Sequence, residues 1–183
     1  MSNIVSNMIP GVTNLTSEQS GLIFANHIGY IDYNDTSTTV TPLELTEDVW
    51  ATIPNDGLGS FSRNELPVGA LLPLTAEGGL DLSNLPMNSL VKVRMDFIIY
   101  PNVNNAFAEF GILLGSASPY RLEKTINTLP QGAGRGYHVG LDQSLVYIGD
   151  TNTKNGVALF QVKLSTGGTV VNAGMVAELY KTE

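Results

Sequence analysis

Side chains able to do chemistry are few in this sequence and lie far apart. Residues 32–38, DYNDTST, place Asp32, Asn34 and Asp35 in one loop, the oxygen-rich type of cluster that can hold a divalent cation. Asx-rich turns also arise for backbone reasons alone, because Asn and Asp side chains bond their own main chain. Residues 149–156, GDTNTKNG, offer Asp150 and Asn152 at the first and third positions of a calcium loop. Lys154 then falls at position five, glycine is missing at position six, and Gln161 stands where the bidentate glutamate belongs. A hairpin turn fits that string better. GAGRG at residues 132–136 has the glycines of a phosphate loop, but it follows Leu129 and Pro130, opens no helix and continues into Tyr137. It reads as a surface loop.

Other chemistries find still less. His27 and His138 belong to no metal-binding spacing, and the chain has no cysteine. GLGSFS at 57–62 carries Leu58 where a nucleophile elbow needs its first glycine. Glu47 and Asp48 are adjacent, so on a strand they point to opposite faces rather than forming a glycosidase pair. No catalytic, cofactor or metal residue is assigned, and the chain is read as a non-enzyme.

The single tryptophan sits in TPLELTEDVWATIPNDGLG, residues 41–59. Leu43 and Leu45 suggest a short strand, residues 46–48 a turn, and Val49 to Ile53 a second strand. The cluster from Pro54 to Gly59 is a turn in which Gly57 adopts positive φ. Trp50 is expected to be a core anchor with its indole N–H on a carbonyl. The alternative is a sugar platform, with Asp32, Trp50, Tyr120 and Tyr137 as candidate glycan-binding residues.

Elements that would position these groups are strands. In SLVKVRMDFIIY, residues 89–100, apolar side chains alternate with Lys92, Arg94 and Asp96, the period of a half-buried strand. Further strands are expected at 21–33, 106–114, 120–127, 144–149, 157–164 and 169–177, each bounded by turn residues. A short helix is conceivable only at 82–90, where Pro86 limits it. Eight or so strands without helices predict an all-β sandwich or jelly roll over residues 21–183. Residues 1–20 read as an extended N-terminal arm whose Ile4, Val5, Met8 and Ile9 need cover. The last strand is apolar on both faces, and Val170, Val171 and Met175 are taken as flanking an oligomer axis.

Composition narrows the partners. Net charge is −8, and the nine Lys and Arg form no basic stripe, which argues against nucleic acid and anionic membranes. Charged residues make up 14% of the chain, below the roughly 25% of average domains, so its surface is polar but weakly ionic. Neither a secretory signal nor an apolar run of membrane-spanning length is present, and synthesis in a cytoplasm is expected.

The 41–59 stretch, with IGYIDYNDTST, SLVKVRMDFIIYPNVNNAFAEFGILLG and YIGDTNTKNGVALFQVKLS, resembles a group of small virion structural proteins of tailed bacteriophages. The resemblance covers about residues 21–183. It implies a jelly roll similar to that of tumour necrosis factor and the C1q globular head, assembled as a homotrimer. It further implies decoration of a capsid surface or a place in a head fibre, with the major capsid protein or another virion protein as partner. No enzymatic residue comes with it.

Overall fold

The computed structural model describes residues 27–131 and 134–182, without the side chains of 125–127 and 142–143. Among the described residues eleven strands form two antiparallel sheets. Sheet A runs β4 (Arg63–Glu65), β1 (Ile28–Tyr33), β11 (Gly168–Tyr180), β6 (Leu90–Pro101) and β9 (Tyr137–Tyr147). β2 (Leu43–Leu45) also pairs with β11, beyond the end of β1. Sheet B runs β3 (Ala51–Thr52), β10 (Val157–Leu164), β7 (Ala106–Leu114) and β8 (Tyr120–Leu129), with β5 (Leu80–Asp81) also on β10.

The pairing is nested. β7 pairs with β8, β6 with β9, β3 with β10, and β1 with β11, so each pair encloses the one before. A hairpin wrapped in this way around two sheets is the jelly roll, as the strand pattern predicted. Antiparallel sheets bury one face each, and the alternating side chains of β6 enter the core as Val91, Val93, Met95, Phe97 and Ile99. Phe97 of sheet A stacks on Phe110 of sheet B with centroids 6.3 Å apart, joining the layers.

Three local expectations change. Residues 149–156 are not a hairpin turn: β9 lies in sheet A and β10 in sheet B, so the segment crosses between layers. It holds a four-residue helix, Thr151–Lys154, because the Asp150 carboxylate accepts from the Thr153 amide at 2.7 Å and starts a helical turn. The segment 82–90 is not a helix: residues 82–89 form successive turns closed by Leu85 N–H to the Leu82 carbonyl and Ser89 N–H to the Pro86 carbonyl, and Leu90 already belongs to β6. The strand read as 144–149 begins seven residues earlier, at Tyr137.

The last strand also differs. β11 carries a bulge between Asn172 and Gly174, where one extra residue faces β6. The bulge reverses the side-chain parity. Val170 and Met175 therefore point the same way, into the sandwich, with exposures of 0% and 1%. They are core residues of one chain and do not reach an outer axis. Of the three axis candidates only Val171 faces outward, half-buried.

Candidate functional site

The chemistry-bearing residues fall in three separate places. The first is the Asx loop after β1. β1 and β2 pair with the same edge of β11, and residues 34–42 bridge the gap opposite the β11 bulge. A bulge leaves ladder groups unpaired, and the loop satisfies them. The Asn172 amide donates to Thr38 Oγ1 at 2.8 Å, and its side-chain amide donates to the Pro54 carbonyl at 2.9 Å. Asp35 is buried and its carboxylate accepts from the amides of Ser37, Thr38 and Asp56 and from the hydroxyls of Ser37 and Thr38. Asn55 reaches the Tyr33 carbonyl at 3.0 Å. The turn of the 41–59 stretch is thus half of a clip that holds the bulge, and Gly57 takes φ +64° there. The Asp35 oxygens that looked like cation ligands are filled by donors of this chain.

Asp56 forms the outer part of the clip, accepting from the Thr36 amide and hydroxyl and from the Leu58 amide. Partial burial pushes its carboxyl up, but the Thr36 hydroxyl and the amides of Leu58, Thr36 and Ser37 outweigh it and hold the group below its ordinary 3.8. A depressed carboxyl contributes stability that is complete above the ordinary value and is lost as pH falls through the folded one. Asp56→Asn is therefore expected to lose less stability than the parent between about pH 5 and pH 2, by a few tenths of a kcal/mol at this exposed site, in urea titrations across that range.

The second place is Trp50. Ala51 pairs with core residue Val162 and Thr52 with Gln161, so the register turns Ala51 and Ile53 inward and Trp50 outward. The tryptophan is not the core anchor expected of it. It lies half-buried on the outer face of sheet B, with the Arg121 guanidinium 4.3 Å and the Lys163 ammonium 5.2 Å from the ring centroid. Arg121 Nε donates to Gln161 Oε1 at 2.9 Å, and Lys163 pairs with Glu109 at 3.0 Å. A Cβ on Gly111 would come within 2.4 Å of Arg121 Cδ, so the glycine makes room for the stacked pair. The arrangement staples β3 to β7, β8 and β10. Arg121→Gln is expected to cost about 1 kcal/mol and to raise acrylamide quenching of Trp50, whose fluorescence no other tryptophan obscures.

The four candidate glycan residues do not converge. Asp32 lies on the outer face of sheet A, bonded by Asn34 Nδ2 at 3.0 Å, while Trp50 is on the opposite sheet. Tyr120, 2.8 Å from Thr153 Oγ1, sits where β8 meets the end of β7. Tyr137 pairs with Ile99 at the other end of the sandwich and donates to the Gln131 carbonyl at 2.6 Å. Arg135 covers its ring at 5.7 Å; residues 132 and 133 of that loop lie outside the described residues. Among the described residues no three His, Asp or Glu are grouped so as to hold a metal ion.

The third place is the outer face of sheet A, where Val171 stands but Val170 and Met175, the other two axis candidates, do not. The described elements are two sheets and two four-residue helices, and among the described residues no third layer packs on this face. Ile98, Tyr100 and Val171 stand half-buried at one end of it beside exposed His138, and exposed Leu145 (56%) and Tyr147 (54%) stand at the other end beside Lys92 and Leu90, with Arg94 and Asp96 between. β9 is also an edge strand, paired only with β6 among the described residues. Its signal was visible as VGLDQSLVY, an edge with neither proline nor lysine to discourage pairing. Toward β1 the same face carries Lys92, Glu178 and Tyr180. The Tyr180 hydroxyl, at 2.8 Å, and the Lys92 ammonium, at 3.3 Å, hold the Glu178 carboxyl below its ordinary 4.5, and Glu178 in turn pushes the Tyr180 phenol up.

No protein-family model matches the chain, and no curated protein matches it. Among solved structures it is similar to the PRD1 vertex protein P5, at 14% identity and TM-score 0.43, over 85% of this chain and 73% of that one. It is also similar to a chain of the infectious bursal disease virus Gx strain (9%, TM-score 0.37, covering 84% of this chain and 32% of that one). A third is the VP2 subviral particle of the same virus (8%, TM-score 0.35, covering 86% and 53%). These neighbours are viral capsid and vertex proteins; at such scores the assignment of this chain as a two-sheet jelly roll rests on its own strand pairing.

Proposed function

We propose that this chain is a structural protein of a bacteriophage virion, a homotrimer that decorates the capsid as a cement protein or forms part of a head fibre. The observation that carries this reading is the outer face of sheet A, whose apolar side chains no described element covers. A weakly ionic chain that leaves Ile98 and Val171 at one end of a sheet face and Leu145 and Tyr147 at the other has a surface suited to a second copy, since exposed apolar patches mark interaction sites. The sequence resemblance supplies the setting: a virion surface, with the major capsid protein or another virion protein as partner and synthesis in the host cytoplasm. Residues 1–20, which lie outside the described residues, are the proposed capsid-docking arm through Ile4, Val5, Met8 and Ile9. Buried apolar area, at about 25 cal/mol per Å², would drive both contacts.

Deleting residues 1–12 is expected to abolish co-sedimentation with capsids while the oligomeric state and thermal transition stay those of the full chain. Undiminished decoration by the truncated protein would overturn the arm. A receptor-binding module for host glycan is the alternative reading. It requires one of the four separated places at Asp32, Trp50, Tyr120 or Tyr137 to act alone, and a glycan array without signal would remove it.

A further inference from the structure

The outer face of sheet A is hollowed on its β1 side, where three cross-strand rows follow one another. Ile28 pairs with Tyr180, Tyr30 stands between Glu65 and Glu178, and Asp32 stands between Arg63 and Val176. An open groove of about 670 Å³ lies over the first two rows. It combines two tyrosine rings, Tyr30 and Tyr180, with two carboxylates, Glu65 and Glu178, and its remaining side chains are apolar. A second hollow of about 400 Å³ follows over the third row, lined by Asp32, Arg63, Ser60, Ser62 and Phe61. Two residues of β1, about 7 Å, separate one row from the next. The Arg63 guanidinium, 5.9 Å from the Tyr30 ring centroid, links the hollows into one furrow.

Each half repeats one chemistry, an aromatic ring beside carboxylate and hydroxyl oxygens. Phe61 in the second hollow is 77% exposed, an open ring face on a sheet surface. Several polar groups are also open. The Tyr30 hydroxyl, the Glu65 carboxylate and the Arg63 guanidinium make no hydrogen bond or ion pair among the described residues. Glu178 is held, by the Tyr180 hydroxyl at 2.8 Å and the Lys92 ammonium at 3.3 Å, so that carboxylate and the Tyr180 ring are oriented in advance. Charge does not select an ion here. Arg63 and Lys92 stand against Asp32, Glu65 and Glu178, so a polyanion would meet three carboxylates and a polycation would meet Arg63 at the centre. A peptide strand finds no main-chain partner on the floor, because β1 is paired there with β4 on one side and β11 on the other. What fits is a neutral ligand with apolar ring faces and a rim of donors and acceptors.

We infer that the furrow binds a neutral oligosaccharide, with one sugar unit against Tyr30 and Tyr180 and the next against Phe61. The C–H faces of the sugars lie on the aromatic rings, Glu65 and Asp32 accept from their hydroxyls, and Arg63 donates to their oxygens. One Asp32 oxygen already accepts from Asn34 Nδ2 at 3.0 Å, which fixes the carboxylate for that role. Both hollows have the volume of ligand pockets, about 300–1,000 Å³. The inference rests on the glycan reading above and deepens it: Asp32 stays, and Tyr30, Glu65, Arg63 and Phe61 take the places of Trp50, Tyr120 and Tyr137. It requires neither the trimer nor the arm.

The test is an amide NMR titration of the full chain with maltohexaose, cellohexaose, mannohexaose and chitohexaose, and with hexagalacturonate as the charged comparison. At least one neutral sugar is expected to shift amides within residues 28–32, 60–66 and 176–180. Tyr30→Ala and Glu65→Ala are each expected to weaken that binding by roughly tenfold. Glu65 lies exposed on the short edge strand β4, so its variant keeps the test decisive if Tyr30→Ala fails to fold. Shifts centred on Trp50, Tyr120 or Tyr137 would overturn the furrow and leave the glycan reading standing. A response to hexagalacturonate alone would refute a neutral ligand, and no response to any sugar would remove the site and the reading together. If the same amides shift on dilution without sugar, the furrow belongs to a second copy of the chain and the inference fails.

Discussion

Replacing Asp35 with alanine is expected to unfold the protein more readily than any surface change, by about 3–5 kcal/mol. The carboxylate accepts three amides and two hydroxyls inside the clip, and its removal strands several buried donors at once. For a chain of this size each kcal/mol shifts the midpoint by about 2–4 °C, so the thermal transition should fall by roughly 6–20 °C. Asp35→Asn keeps the shape and one acceptor oxygen, and it should fall between parent and alanine. If calorimetry finds Asp35→Ala within about 2 °C of the parent, the clip is not what holds β1, β2 and the β11 bulge together. The site bears on function because the bulge sets which β11 residues face the core and which face the proposed partner.

The second large effect concerns assembly. The unsubstituted chain is expected to sediment at three times its 19.6 kDa mass, and Ile98→Asp with Leu145→Asp to run as a single chain. Both side chains stand on the outer face of sheet A, so each aspartate is harmless in a separate chain. In a buried interface each would cost several kcal/mol as an unpaired charge. The unfolding transition of the dissociated chain should retain its cooperativity. A full-mass trimer in the double variant would place the interface elsewhere. A monomer in the parent would mean that this face serves another partner or stays in water, and the trimer would be lost from the proposal.

Much of the sandwich was legible because burial at one face imprints a period of two. The segments at 106–114 and 157–164 were readable to the residue, since glycine, asparagine and proline bracket an apolar run there. The strand at 89–100 was readable for its alternating Lys92, Arg94 and Asp96. The polar turn at 54–59 was also visible, with Gly57 in the left-handed region where the pattern put it.

What the order of amino acids determined by itself was the fold class and the turn at 54–59. Those depend on local periodicity and on the φ preferences of single residues. Tertiary structure decided the rest, because facing is counted from the partner strand. The one-residue bulge between Asn172 and Gly174 turned Val170 and Met175 inward, and the Val162 register turned Trp50 outward. The same long-range pairing made Asp35 part of a structural clip, by bringing Asp56 and Asn172 to it from 21 and 137 positions away. A side chain's role in this fold follows from which strand lies beside it, and that is set by contacts the local sequence does not contain.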